Sequence, residues 1–158
     1  LGLPPQPFRF FNDLWETFHP RGRISLLLAF WRDHPTAALI LFKFGKRVSA
    51  EFAASHETFR HMSPNHLLFW KGIEAAYREG YEIFDFGRTS PLSRELMDFK
   101  GRWGTTVTEL PQYFYPRQDG ARVAQDQRFG YRGMKEVCSR TPEIVLPHLG
   151  RFFYSHIG

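Results

Sequence analysis

The sequence holds one cysteine, Cys138, so it can form no internal disulfide and offers no second thiolate for a zinc site. That count favours a reducing compartment, and the expected location is the cytoplasm, at the inner face of the membrane. No apolar run approaches the ~20 residues that cross a bilayer; the longest is interrupted by Arg32, Asp33 and Lys43. Neither Ser63 nor Ser90 sits in a Gly-x-Ser-x-Gly setting and Cys138 has no evident base beside it, so nucleophilic catalysis is unsupported. His56, His61 and His66 are five residues apart, which fits neither one helical face nor a His-Glu-x-x-His pattern, and no metal is expected. There is no initiator Met. The opening Leu1-Gly2-Leu3-Pro4-Pro5-Gln6-Pro7 reads as a Pro-rich linker, as expected of the downstream part of a longer protein.

Aromatic residues are plentiful: 17% of the 158 residues, 17 of them Phe, within a chain that is 42% hydrophobic. A disordered segment lacks that aromatic content, and this length suits one hydrophobic core. The expected organisation is a linker over 1–7, a domain over 8–116, and a polar loop with a helical tail over 117–158 packed on that domain. The net charge of +5 is uneven, with ten Lys/Arg against six Asp/Glu between Arg88 and Arg140. Such a half favours a polyanion, or is a solvated basic face. Tyr113, Tyr115, Phe129 and Tyr131 in that half admit a nucleic-acid reading, although no RNA-binding signature accompanies them.

Phe10, Phe11, Leu14, Trp15 and Phe18 recur at helical spacing and are closed by Pro20 and Gly22. Arg23 to Arg32, Thr36 to Phe44 and Arg47 to Ser55 are apolar runs of strand length separated by turn residues, an antiparallel meander. Ser63-Pro64 is a helix start in which the serine side chain caps a free N–H. Phe69, Ile73, Ala76 and Tyr77 make its apolar face, and Gly80 ends it. Tyr81 to Phe86 reads as a strand beside the meander, Pro91 opens a short helix through Leu92, Leu96 and Phe99, and Thr105 to Tyr115 reads as a last strand. Beyond a polar stretch, Tyr131 to Arg140 and Pro142 to Tyr154 read as helices. Strands in one run followed by alternation with helices predict a mixed α/β sheet with helices on its faces.

The densest cluster of chemically unusual residues is Phe84-Asp85-Phe86-Gly87-Arg88-Thr89-Ser90, followed by Phe99-Lys100-Gly101-Arg102-Trp103-Gly104. It begins at the carboxyl end of a predicted strand, where ligands of open α/β sheets bind. Asp85 is either a tie for the Gly87-Arg88 turn or a base orienting an incoming amine. Lys100 is either a surface cation near a helix end or the group that stabilises an oxyanion formed when an amine attacks an ester or thioester. Arg88 and Arg102 either clamp a phosphate or bridge to Glu95 and Asp98.

Three stretches together, Ser63-Pro64-Asn65-His66-Leu67-Leu68-Phe69-Trp70, then Gly80 to Thr89, then Phe99-Lys100-Gly101-Arg102-Trp103-Gly104, resemble the second GNAT-like domain of the FemAB family. That family includes peptidoglycan-bridge aminoacyltransferases and relatives found beside exopolysaccharide and exosortase genes, and Leu146-Pro147-His148-Leu149-Gly150-Arg151 is similar to the end of the exosortase-associated branch. The resemblance covers Thr36 to Tyr115. It implies a GNAT-like fold with a mainly antiparallel sheet, and an upstream GNAT-like domain in the same protein. The implied donor is an aminoacyl-tRNA and the implied acceptor an amine of a cell-envelope precursor, with no cofactor. It carries the family's Phe-Lys pair onto Phe99 and Lys100, the lysine stabilising the transferring carbonyl.

The implied site is therefore Lys100 and Asp85 at the reacting centre, with Arg88, Ser90, Phe99, Arg102, Trp103 and Asn65 holding substrate. Two departures bear on the donor. GNAT enzymes that use acyl-CoA hold its pyrophosphate on a Gly-rich loop, whereas His56 to Ser63 contains no glycine, which disfavours acyl-CoA. No helix is long enough for the coiled-coil arm associated with tRNA handling. The remaining alternatives are a non-catalytic precursor-binding or assembly domain and an N-acetyltransferase using acyl-CoA.

Overall fold

The computed structural model describes residues 4–111, 136, 138, 140–142 and 145–156. The chain divides into two compact units, Trp15–Val107 and the pair of segments Leu1–Leu14 and Thr108–Gly158. Helix α1 spans Phe8–Phe18 and is followed by a 3-10 turn at His19–Arg21. Three antiparallel strands follow, β1 Ile24–Trp31, β2 His34–Phe44 and β3 Arg47–Ser55. The meander is as its alternation predicts, and each hairpin turns through two residues, since Trp31 pairs with His34 and Phe44 with Arg47.

After a 3-10 segment at Glu57–Met62 come helix α2, Pro64–Arg78, strand β4, Ile83–Asp85, and helix α3, Arg94–Gly101. Strand β4 lies parallel to β3, so the sheet order is β1-β2-β3-β4. This is the mixed, mostly antiparallel α/β sheet expected. The core of this unit lies between the sheet and α2, where Leu39, Leu41, Val48 and Ala50 meet Leu68, Phe69 and Ala76. Leu39 and Val48 are wholly buried.

Several local expectations are corrected. The buried stripe of α2 is Leu68, Phe69, Gly72 and Ala76, and Tyr77 is exposed, because the i, i+3, i+4 stripe that meets the sheet runs through Gly72, which lets Leu41 and Phe84 pack close. Ser63 precedes α2 without a side-chain cap; its backbone is left-handed (φ 52, ψ 45) and its carbonyl accepts from His66 N–H instead. Strand β4 is shorter than Tyr81 to Phe86. The α2 cap takes Tyr81, whose N–H donates to Ala76 C=O, and the Asp85 side chain draws in Gly87 N–H. Helix α3 starts at Arg94 and not at Pro91, since Ser90 holds Leu92 N–H with its hydroxyl and Ser93 N–H with its carbonyl.

Residues 105–111 form no strand. Thr105 turns its hydroxyl back to Lys100 C=O, and Pro111 has no N–H for a ladder; residues 112–115 of that expected strand lie outside the described residues. So do the polar loop 117–130 and the aromatics Tyr113, Tyr115, Phe129 and Tyr131. Of the helix expected over Tyr131 to Arg140, Glu136, Cys138 and Arg140 are described, and all three are helical. The last helix, α4, spans Leu146–His156 and starts later than Pro142, whose carbonyl instead closes a turn on Val145 and Leu146 N–H. Within the second unit the Tyr154 hydroxyl donates to Pro4 C=O at 3.5 Å, and Gly150 lies against Pro5.

Candidate functional site

Strands β3 and β4 pair only over Arg47–Ser49 and Ile83–Asp85, then part. Two features produce the parting. On β3, Leu41 pairs with Ala50 and Ile40 with Phe52, so Glu51 is the extra residue of a bulge with no partner on β2. On β4, Asp85 ends the ladder by accepting Gly87 N–H at 2.8 Å on one carboxylate oxygen and the Arg47 guanidinium at 2.7 Å on the other. Gly87 has φ +73, and its α-carbon comes so close to β3 that a Cβ there would lie 3.0 Å from Ala50 O.

Lys100 completes this corner from the last turn of α3. Its Nζ donates to Gly87 C=O at 2.7 Å. Partial burial lowers its pKa from the ordinary lysine value, while the Asp85 and Glu51 carboxylates pull it back up. The structure thus brings Lys100 and Asp85 together through the two ends of Gly87 and adds Glu51, which sequence reasoning missed. Arg47, the guanidinium partner of Asp85, was missed too; Arg88 does not take that role. Arg88 is exposed at the start of the following loop, and Ser90 is exposed and occupied with the turn before α3.

An aromatic wall flanks the corner. Phe86 stacks on Phe69 at 5.2 Å, Phe99 meets Phe69 edge-on at 5.4 Å, and Trp103 lies 6.0 Å from Phe86. His66, the residue after Asn65, stacks over Trp103 at 6.2 Å. Three side-chain polar atoms here are buried with no hydrogen-bond partner among the described residues: Asn65 Oδ1, Thr89 Oγ1 and Trp103 Nε1. Asn65 uses only its amide nitrogen, on Ser55 Oγ at 3.3 Å. Arg102 is exposed beside Trp103, its N–H held by Asp98 C=O.

The stretch before α2 is built differently from an open anion-binding loop. Thr58 N–H donates to His56 Nδ1, Phe59 N–H to His56 C=O, Ser63 N–H to Arg60 C=O and His66 N–H to Ser63 C=O. Pro64 has no N–H. Much of the donor set that would face a pyrophosphate is therefore spent inside the chain. The left-handed residue of this stretch is Ser63. Among the described residues no group of three His, Cys, Asp or Glu could hold a metal ion, and no helix is long and apolar enough to cross a membrane.

Comparison with known proteins agrees with the fold. A transcriptional regulator from Bacillus halodurans C-125 has a similar fold, with a TM-score of 0.55 at 13% identity over 66% of this chain and 74% of that one. An aminoglycoside acetyltransferase from an uncultured soil metagenomic sample, solved in complex with trehalose, has a TM-score of 0.53 at 12% identity over 68% of this chain and 74% of that one. No curated protein matches the chain. At the level of protein families, residues 1–101 match the acetyltransferase (GNAT) domain. With the sheet, the parting of its strands and this match in hand, the chain belongs to the acetyltransferase (GNAT) domain family.

Proposed function

We propose that the chain is the acyl-transfer domain of a FemAB-type enzyme that moves an aminoacyl or acyl group from an activated donor to an amine of a cell-envelope precursor, of peptidoglycan or exopolysaccharide. One observation carries the reading: Lys100 Nζ stands 2.7 Å from Gly87 C=O, in electrostatic reach of Glu51 and Asp85, where β3 and β4 part. A donor carbonyl entering the parting replaces Gly87 C=O as the acceptor for Lys100. The acceptor amine attacks that carbonyl carbon; the new C–N bond forms, Lys100 stabilises the oxyanion, and Glu51 takes the proton that the amine loses. Collapse breaks the bond to the ester oxygen or thioester sulfur, and the leaving group departs with the proton that Glu51 took, which returns Glu51 to its carboxylate form.

Asp85 positions this centre instead of acting as its base, because Gly87 N–H and Arg47 already occupy both its oxygens. Asn65, Thr89 and Trp103 suit substrate binding, since an unpaired buried polar atom costs about 1–3 kcal/mol that a ligand hydrogen bond recovers. Phe99 shapes the wall, and Arg88, Ser90 and Arg102 line the approach as exposed donors. An aminoacyl-tRNA suits the spent N–H groups before α2 better than acyl-CoA does, and the full protein supplies an upstream GNAT-like domain.

The test is product formation by mass spectrometry, with aminoacyl thioesters as donors and a lysine-containing muropeptide as acceptor. Lys100→Ala should lower turnover by about 10²-fold or more with the thermal transition unchanged. Turnover unaffected by the substitution would leave a precursor-binding or assembly domain.

A further inference from the structure

Strand β1 is an edge of the sheet: among the described residues it pairs with β2 alone. Natural edge strands are guarded by charge, proline or brevity. This one runs eight residues, Ile-Ser-Leu-Leu-Leu-Ala-Phe-Trp, without charge, proline or brevity, and its one irregularity is a register shift against β2 between Ala29 and Phe30. Arg23 C=O accepts from Lys43 N–H, and Ala29 C=O accepts from the Thr36 hydroxyl, so the odd-numbered residues turn their backbone groups toward β2. Alternation then leaves the N–H and C=O groups of Ile24, Leu26, Leu28 and Phe30 facing outward. The side chains of Leu26, Leu28 and Phe30 share one face and are 43%, 48% and 57% exposed. At the same edge, toward α2, lies a groove of about 380 Å³ lined by Leu27, Leu28, Leu67 and Ala75, with Glu74 and its ion-pair partners Lys71 and Arg78 at its rim.

We infer that β1 is the interface between two copies of this chain, joined antiparallel about a two-fold axis at Leu28 into one continuous eight-stranded sheet. In that register Leu28 faces its own copy and Leu26 faces Phe30, so every outward backbone group from Leu26 to Phe30 finds a partner and the three exposed apolar side chains cover one another. Charges at the ends bear on the same register. Arg23, which lies over the Phe44 ring, comes to the end where the hairpin turn of the copy carries Asp33 next to Arg32, twice by symmetry, and the strand between carries no charge to oppose its copy. A one-residue slip would set outward backbone groups against inward ones, and a two-residue slip would part Arg23 from Asp33.

The test is oxidative cross-linking of the intact chain in a Cys138→Ser background. Leu28→Cys should give a covalent dimer, because opposed α-carbons of a hydrogen-bonded antiparallel pair lie about 5.5 Å apart, within disulfide reach. Ser25→Cys should give none, since in this register its copies stand roughly 20 Å apart at 3.4 Å per residue. Sedimentation of the unmodified chain at 1–100 μM should show a two-chain mass, weakened at least tenfold by Arg23→Glu and restored by adding Asp33→Arg. A monomer throughout that range, or equal cross-linking of both cysteine variants, overturns the interface. Slow hydrogen exchange of Leu26 and Leu28 N–H in a monomer would show that another part of the chain covers the edge, and would overturn it as well.

Discussion

Gly87→Ala tests the corner where β3 and β4 part. Gly87 holds φ +73, a conformation that costs an L-residue about 1–2 kcal/mol. The added methyl would also meet Ala50 O at 3.0 Å, and that atom is backbone of a buried residue within β3 and cannot swing aside. Overpacking of that kind adds roughly 1–3 kcal/mol. Gly80→Ala is the control: φ is +82, so the same left-handed cost of about 1–2 kcal/mol applies, but nothing lies within 4 Å of the new Cβ. Urea denaturation of both variants should therefore show Gly87→Ala less stable than Gly80→Ala by about 1 kcal/mol or more. Gly87→Ala should also lose transfer activity under conditions where it remains folded, because the methyl spreads the strands that place Gly87 C=O against Lys100, whereas folded Gly80→Ala keeps its activity. Equal destabilisation, with full activity in Gly87→Ala, would refute the close approach and its role in the site.

Ser63→Gly should stabilise the chain by roughly 1 kcal/mol, read as a higher urea midpoint, because Ser63 is left-handed and makes no side-chain cap that the change would remove. Lys100 should acylate with acetic anhydride along a pH profile whose midpoint lies below the ordinary lysine value of 10.5, since burial favours the neutral amine. Asp85→Asn or Glu51→Gln should move that midpoint further down, because each carboxylate favours the charged form; an upward movement would refute their placement. Acetyl-CoA should bind with a Kd above roughly 1 mM, worth less than about 4 kcal/mol, and micromolar binding by calorimetry would contradict the spent N–H groups before α2.

The meander was legible because its strands alternate, burying Ala37, Leu39 and Leu41 while Ala38 and Ile40 face the other way. Helix α2 was legible from Ser63-Pro64 and Gly80, and Phe69 and Ala76 of its expected face are buried, whereas Ile73 and Tyr77 give way to Leu68 and Gly72, since Gly72 carries no side chain to mark the stripe. The strand expected over Thr105 to Tyr115 failed in its described part for want of a partner; propensity in Thr-Val-Thr cannot supply a ladder. At the site, Lys100 and Asp85 stood out through the motifs around them. Glu51 did not, because a bulge leaves no trace in Val48-Ser49-Ala50-Glu51-Phe52, which alternates as an unbroken strand would. Nor did Arg47, whose bond to Asp85 spans 38 residues and follows from the parallel register of β3 and β4 alone.

The central claim is that Lys100 and Glu51 act on one reacting centre, and a double-mutant cycle on single-turnover acyl transfer tests it most directly. Lys100→Ala and Glu51→Gln should each slow the step by about 10²-fold, in the range of lost oxyanion stabilisation and of lost general-base catalysis. Groups that work on the same transition state are strongly non-additive, so the double variant should be less than about tenfold slower than the worse single one. Multiplicative losses, or a Glu51→Gln variant as fast as the parent, would contradict the account.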